Sequence, residues 1–245
     1  MKITAAIIMA AALLLSFFEF PFSSGKEGGI VLPKDNSDNP VIDSDTYSSN
    51  LELLKGVDIG KDNIKRLIAA MHRPDKYHIS VSSTVYHSEG QKTYAVDGYV
   101  DGSRSKTVIF GDSGKIEQNC ILAGDSVYIW SQGSKTYYHG KAGSFTDDDY
   151  SYIPTYEKIL QLEDENILSA DFSLYNDVYC LFAETTDPAT GYRNLYYISV
   201  ENGLLVGAQS FDGDTLAYAL SAEILEFPSD EASIFTLPDG TVISE

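Results

Sequence analysis

Residues 77–85 of the chain read YHISVSSTV, and this stretch decides the fold. Its odd positions, Tyr77, Ile79, Val81, Ser83 and Val85, are mostly apolar, whereas the even positions carry histidine, serine and threonine. Because successive side chains of a β-strand point to opposite faces, this alternation predicts a strand with one apolar and one polar face. An apolar strand face must be buried, so the stretch implies a sheet with a covering layer.

Five similar runs follow the first one, and short turn sequences separate them. The runs are residues 92–100, 104–110, 115–122, 126–131 and 135–140. Connections such as residues 101–102 (DG) and 111–114 (GDSG) are too short to hold crossover helices. Neighbouring strands must therefore be antiparallel, and the spacing alone predicts a meander of six strands.

A second meander is predicted nearer the end of the chain. Its strand-like runs are residues 168–175, 178–184, 192–200, 204–211 and 216–227. Asn202-Gly203 between two of these runs is a strong hairpin signal. In the last run, one face carries Leu216, Tyr218, Leu220, Ala222 and Ile224.

Two amphipathic helices are predicted as well. Ile64, Leu67, Ile68 and Met71 recur at helical spacing, with Asp62 as a suitable N-cap and Pro74 as a stop. A second, shorter helix is predicted to begin at Pro154, with an apolar side formed by Tyr156, Ile159 and Leu160. Each apolar stripe needs a partner, and the apolar face of the sheet supplies one.

These elements together predict a mainly β (α+β) protein. We expect about eleven strands in one strongly curved antiparallel sheet, an open half-barrel, which is covered by the two helices. A sheet with one apolar face must close, fold on itself or be covered. The residue count per strand suits a half-barrel better than a closed barrel of eight strands.

The first 60 residues differ in composition from the rest. Residues 3–20 are almost wholly apolar after Lys2, so residues 1–25 are interpreted as a signal peptide or, alternatively, a retained signal anchor. No cysteine lies near this segment, so we expect no lipid attachment there. Residues 26–60 are predicted to be a flexible linker and residues 61–245 the folded domain. An exported protein of the extracellular space or cell envelope is expected, with residues 3–20 as a possible membrane anchor.

Charge excludes some partners. The chain has 17 basic and 36 acidic residues, a formal net charge of −19. Nucleic acid is not expected as a partner, because phosphate backbones reward clustered lysine and arginine. Anionic lipid headgroups are disfavoured for the same reason, but an acyl chain in an apolar pocket is not.

Catalytic and metal-binding patterns are not found in the sequence. No nucleophile elbow, phosphate-binding loop, dinucleotide-binding glycine pattern or paired-histidine metal motif occurs, so we expect no enzyme, cofactor or metal. The acidic run Asp147-Asp148-Asp149 is interpreted as a solvated loop. Cys120 and Cys180 are either two buried thiols or a disulfide. The 17 tyrosines either serve strand packing or form a carbohydrate- or peptide-binding rim.

The order of these elements resembles the lipoprotein-carrier family of the LolA and LolB type. The resemblance covers roughly residues 63–240 and is most detailed at two places, residues 196–205 (YYISVENGLL) and residues 235–240 (FTLPDG). It implies a hydrophobic cavity between the curved sheet and the helices, which holds an acyl chain or a peptide segment of a partner. The expected partners are then a lipid or an acylated protein, with another envelope protein also possible.

The sequence thus predicts an exported binding protein that holds a lipid, acyl chain or other apolar ligand in the concave face of the sheet. The cavity lining is expected to include Ile79, Val81, Val85, Leu220 and Ile224. The alternative is a cell-surface protein-interaction or sensor module without a small-molecule ligand.

Overall fold

One antiparallel sheet of eleven strands forms the body of the protein, and the computed structural model describes residues 48–141 and 156–244. The first six strands are β1 (Lys76–His87), β2 (Gly90–Asp101), β3 (Arg104–Phe110), β4 (Ile116–Ala123), β5 (Ser126–Ser131) and β6 (Tyr138–Lys141). The other five are β7 (Ile167–Tyr175), β8 (Val178–Thr186), β9 (Arg193–Ser199), β10 (Leu205–Asp212) and β11 (Thr215–Leu225). The predicted number of strands and their antiparallel arrangement are confirmed.

The two meanders join through their longest strands. The strand order is β6-β5-β4-β3-β2-β1-β11-β10-β9-β8-β7, so the first strand of one meander pairs with the last strand of the other. In this pair Ile79 lies opposite Ile224, and Val85 lies opposite Tyr218. The sheet does not close into a barrel, because β6 and β7 stand at opposite edges. The predicted open half-barrel is confirmed.

Strand β6 is shorter than the predicted run of residues 135–140. The Ser134 hydroxyl donates to the Thr136 carbonyl (2.7 Å) and accepts from the Thr136 N–H (3.1 Å). Serine side chains offer the backbone local partners that compete with a strand ladder. The residues before Tyr138 therefore form a turn, and the strand begins three residues later than its predicted start at Lys135.

In the described part of the chain, four short α-helices and one 3₁₀ turn accompany the sheet. They are α1 (Ser48–Leu54), α2 (Ile64–Ala70), α3 (Glu157–Gln161), the 3₁₀ turn Asp164–Asn166, and α4 (Glu231–Ile234). The two predicted covering helices correspond to α2 and α3. Among the described residues, no helix is both long and apolar enough to span a membrane.

The predicted N-cap of α2, Asp62, is wrong by one residue. Asn63 occupies the N-cap position. Its side chain accepts from the Gly60 N–H (2.9 Å) and donates to the Asp58 carbonyl (2.9 Å). Asn63 therefore stabilises the turn that precedes the helix and makes no side-chain cap bond to α2 itself.

Helix α1 lies within the predicted flexible linker, residues 26–60, and the structure differs from that expectation here. Asn50 is almost fully buried, and Leu54 belongs to the main core. The Asn50 side chain donates to the His72 carbonyl (3.0 Å) and accepts from the His72 N–H (2.7 Å). These two bonds satisfy backbone groups just after α2, so the end of the linker is part of the folded domain.

Several predictions fall outside the described residues. They are the signal peptide or signal anchor (residues 1–25), most of the linker, the acidic run at residues 147–149 and the helix start at Pro154. The division into these segments stays a prediction.

Each face of the sheet carries a hydrophobic core, and the two cores lie in different halves. The inner face, which carries Ile79 and Leu220, is packed against α1, α2 and α3. The outer face is the opposite one. There, Ile121 and Trp130 pack against residues that follow β11, namely Ile234, Phe235 and Leu237. The register places Ile121 and Ile79 on opposite faces of the sheet.

The residues that cover the outer face form the C-terminal segment, residues 227–243. Phe235 is fully buried at its centre. The Arg104 guanidinium lies 4.3 Å from the Phe235 ring centroid and donates from Nη1 to the Ile243 carbonyl (2.7 Å). The Tyr137 hydroxyl donates to Asp239 Oδ2 (3.2 Å). The motif at residues 235–240 is therefore a cover for the first meander.

Asn50→Ala should lower the free energy of unfolding by about 1–3 kcal/mol, because the His72 backbone groups lose their buried partner. Urea unfolding measures this change. Leu51→Ala is the matched control, since Leu51 lies on the same helix with its side chain 57% exposed. That variant should change the free energy by no more than about 0.5 kcal/mol. Equal effects of the two variants would contradict the packing of α1.

Phe235→Ala should cost about 3–5 kcal/mol of unfolding free energy, the usual range for emptying a buried aromatic site. Val242→Ala, a change in the same segment at a side chain that is 51% exposed, should have little effect. Denaturant unfolding of both variants tests whether the C-terminal segment stabilises the sheet. A small loss for Phe235→Ala would show that the C-terminal segment does not stabilise the sheet.

Candidate binding site

The helices lie over one half of the inner face, and Arg73 links them to the sheet. Arg73 donates from Nη1 to the Met71 carbonyl (2.9 Å) and from Nη2 to the Ile68 carbonyl (2.5 Å) at the end of α2. Its Nε donates to the Gly203 carbonyl (3.0 Å) in the turn between β9 and β10. The guanidinium lies 3.2 Å from the centroid of the Tyr156 ring beside α3. One side chain thus joins α2, α3 and the second meander.

The turn at Asn202-Gly203 brings the sheet close to the end of α2. Gly203 has φ +69°, and a Cβ at this position would lie 2.7 Å from the His72 carbonyl oxygen. Glycine is therefore required both by the turn and by the close approach. In addition, α2 contacts α3 and β8. The helices consequently lie over the β8 side of the sheet.

The five predicted lining residues all lie on the inner face. The register aligns Ile79 with Ile224 and Val81 with Ala222, which places Leu220 and Val85 on the same side. Ile79, Val81 and Leu220 are buried in the inner core, while Val85 and Ile224 are half-buried at its margin. The shared face follows from the sequence pattern, and a ligand contact for these residues stays a prediction.

The inner face continues beyond this core across β2 to β5, and we call this part the distal inner face. Its buried members are Val96, Thr107, Cys120 and Val127. Ile109, Leu122 and Ile129 are half-buried there. Val96, Cys120 and Val127 belong to neither core cluster of the described residues. The distal inner face is thus a second apolar region outside both cores, and Ile109, Leu122 and Ile129 are its partly exposed members.

A groove of about 500 Å³ opens where the distal inner face meets β6. Its lining residues are Gln118, Ile129, Trp130, Ser131, Ser134, Thr136, Tyr137 and Tyr138. Of these, Gln118, Ile129, Ser131 and Tyr138 lie on the inner face. The lining is polar but contains no ionisable group other than the two tyrosine hydroxyls. An apolar surface therefore ends in a neutral polar groove.

Sequence reasoning missed this groove and the distal inner face. A signal for both was present, because β4 contains the apolar triplet Cys120-Ile121-Leu122 and residues 127–130 (VYIW) of β5 are apolar throughout. A strand that is apolar at consecutive positions needs cover on both faces. Trp130 and Ile121 are covered on the outer face, whereas Leu122 and Ile129 lie on the inner face and need cover there.

The tyrosine clusters separate into two roles. Tyr196 is buried in the inner core, so this member of the predicted rim serves packing. Tyr137 and Tyr138 line the groove, and Tyr138 is exposed over 43% of its surface. Packing is thus the role of Tyr196, and a binding rim at Tyr137 and Tyr138 stays a prediction.

Cys120, Cys180 and His78 serve packing in the described part of the chain. Cys120 lies on the inner face of β4 and Cys180 on the outer face of β8, with six strands between them, so both are buried thiols and no disulfide joins them. Burial raises the pKa of Cys180 to about 11. His78 stacks on Tyr99, with ring centroids 4.2 Å apart. Across residues 48–141 and 156–244, no group of three histidine, cysteine or acidic side chains is placed to hold a metal ion.

Comparisons with known proteins give likenesses of fold. No protein-family model matches the sequence, and no curated protein matches it. Among solved structures, an uncharacterised conserved protein from Thermus thermophilus has a TM-score of 0.44 at 8% identity, over 80% of this chain and 98% of that one. A LolA superfamily protein from Nitrosomonas europaea has a TM-score of 0.28 at 11% identity, over 74% and 92%. LprF from Mycobacterium bovis has a TM-score of 0.37 at 9% identity, over 72% and 92%.

Buried tyrosines of the inner core should make stability fall at high pH. Burial raises the pKa of Tyr77 to about 12 and also raises the pKa values of Tyr196 and Tyr218. Unfolded tyrosine ionises near pH 10, so the stabilising contribution is complete below about pH 10 and is lost as the pH rises through the folded values. The thermal midpoint should therefore fall steeply above about pH 10.

Tyr196→Phe should flatten this alkaline fall, because one buried ionisable group is removed. Tyr179→Phe is the matched control, since Tyr179 is 61% exposed, and it should leave the pH profile unchanged. Thermal unfolding across the alkaline range, followed together with tyrosinate absorbance, measures both. A wild-type midpoint that stays constant above about pH 10 would contradict the burial of these hydroxyls.

Proposed function

We propose that the protein is an exported binding protein of the cell envelope that holds the acyl chain of an amphiphile on the distal inner face. The half-buried aliphatic side chains on the inner face of β3 to β5 carry this proposal. Val96, Cys120 and Val127 are buried there, and Ile109, Leu122 and Ile129 present half-buried aliphatic side chains beside them. Such a surface is suited to a chain without hydrogen-bonding groups.

The groove next to this surface suits an uncharged polar headgroup. Gln118, Ser131 and Thr136 offer neutral donors and acceptors, and Tyr138 adds an exposed ring. No lysine or arginine lines the groove, and the net charge of −19 disfavours an anionic headgroup. The ligand we propose is therefore an acyl chain attached to a neutral head, either a lipid or the acylated end of a protein.

Two of the five residues predicted from the sequence form the near end of the proposed lining, and the other three lie in the core. Val85 and Ile224 lie half-buried at the margin of the inner core. Ile79, Val81 and Leu220 lie beneath the helices. In the proposal, an acyl chain extends from the groove toward this margin and stops where the helices begin.

The energetics allow a useful affinity. Each buried methylene contributes about 0.8 kcal/mol, so about ten methylenes contribute roughly 8 kcal/mol before the cost of ordering the chain. Binding in the micromolar range corresponds to about 8 kcal/mol. The proposed function is therefore ligand binding, without a catalytic step.

Leu122→Asp should weaken the binding of a fluorescent fatty-acid ester at least about tenfold, since a carboxylate in an apolar site costs well over about 1.4 kcal/mol. Ala123→Asp is the matched control, because Ala123 is the next residue on β4 and faces the outer side. It should leave the affinity unchanged. Fluorescence titration of the full chain gives both affinities, and native mass spectrometry shows whether a lipid is already bound.

Two results would contradict this proposal. One is a wild-type protein that binds neither the ester nor a co-purified lipid. The other is an equal loss of affinity in Leu122→Asp and Ala123→Asp, with both variants still unfolding cooperatively. If Leu122→Asp does not fold, Leu122→Gln provides the same test with a smaller polar change.

A further inference from the structure

The two edges of the sheet differ in length and in chemistry. Strand β6 has four residues, whereas β7 has nine. Among the described strands, β7 pairs only with β8. Natural proteins blunt sheet edges by keeping them short or charged, because an edge presents unpaired N–H and C=O groups to other chains. The edge at β6 follows this rule by its length, whereas the edge at β7 is long and carries one charged side chain, Asp171.

Large apolar side chains are exposed beside the longer edge. We call them the β7 patch, and they are Leu168 (47% exposed), Phe172 (43%), Leu174 (57%) and Tyr179 (61%). Phe172 and Tyr179 stack with ring centroids 5.5 Å apart. The register puts Phe172, Leu174 and Tyr179 on the inner face, at the opposite edge of the sheet from the groove. An exposed apolar patch along a strand edge is typical of a surface that another chain covers.

One backbone N–H of β7 is bonded to a side chain that an added strand could replace. The Phe172 N–H donates to Oδ1 of the Asp171 side chain (2.7 Å). This carboxylate takes the place that the carbonyl of an added strand would take. A positively charged side chain on an arriving strand would draw the Asp171 carboxylate away and leave the N–H for the new ladder.

The charge along the edge selects the kind of partner. Residues 163–177 contain five carboxylates and no lysine or arginine. Of these acidic residues, Asp164 is paired with Lys65 (2.9 Å), and Asp171 is exposed in the middle of the strand. A second copy of this chain would bring the same acidic edge and a net charge of −19 against the first. Charge complementarity therefore favours a basic partner.

We propose that the β7 edge is a docking site for an extended segment of a basic partner protein, which adds to the sheet as a twelfth strand. In this segment apolar and basic residues alternate. The apolar side chains cover Phe172, Leu174 and Tyr179, and a basic side chain on the other face pairs with Asp171. Main-chain bonds supply affinity and alternate side chains supply selectivity, as in other cases of strand addition. This site is separate from the acyl site on the distal inner face.

A displayed library of random peptides, each about twelve residues long, tests the proposal when it is selected on the full chain. The expected result is enrichment of sequences that alternate valine, isoleucine or aromatic residues with lysine or arginine. A synthetic copy of an enriched peptide should bind the Phe172→Ser/Leu174→Ser variant at least about tenfold more weakly than the wild type. Amide hydrogen exchange of β7 should slow when that peptide is bound.

Leu51→Ser is the matched control, because Leu51 is as exposed as Leu174 but lies on α1, and it should bind the peptide as the wild type does. Asp171→Lys should reduce binding of basic peptides. Enrichment without alternation, or equal binding to the double variant, would overturn the proposal. Self-association of the wild type that the double variant loses would overturn it in favour of a second copy. Loss of acyl binding in Leu122→Asp leaves this test unaffected, so the two proposals fail separately.

Discussion

The eleven-stranded sheet has apolar residues on both faces, so the structure depends on other parts of the chain packing against each face. The helices cover one half of the sheet, and the C-terminal segment covers the other half. The helices pack on the inner face of the second meander and β1, and Phe235 with its neighbours packs on the outer face of the first meander. Because each cover serves one half only, the half-buried side chains Ile109, Leu122 and Ile129 on the inner face of β3 to β5 lie outside both cores. The candidate ligand site is a consequence of this arrangement.

Much of the fold could be predicted because strands and turns carry local signals. The alternation at residues 77–85 and the turn at Asn202-Gly203 fix strand identity and direction. The pairing of β1 with β11 is different, because it joins residues such as Ile79 and Ile224 that are far apart in sequence. No local pattern specifies that pair. It follows only when both strands are required to share one apolar face and one sheet.

The candidate site could be predicted only in part, for a related physical reason. Ile79, Val81 and Leu220 were expected to line a cavity because they alternate with polar residues, and alternation marks the face that the core occupies. A ligand surface that lies outside the core gives a weaker signal in the sequence. In β5 it is a run of apolar residues ending at Trp130, which can equally indicate a fully buried strand. Asn50 gave no local signal at all, since its role depends on the position of His72.

The helices lie between the distal inner face and the β7 patch and separate these two surfaces. Arg73 ties the end of α2 to the Gly203 turn and to Tyr156, and burial lowers the pKa of its guanidinium although the side chain keeps all these partners. A helix held in this way cannot slide toward β2 without losing the hydrogen bond to the Gly203 carbonyl and the cation–π contact with Tyr156. The distal inner face and the β7 patch therefore stay on either side of a fixed barrier. The proposed acyl site and the proposed strand-addition site therefore lie at opposite ends of one sheet.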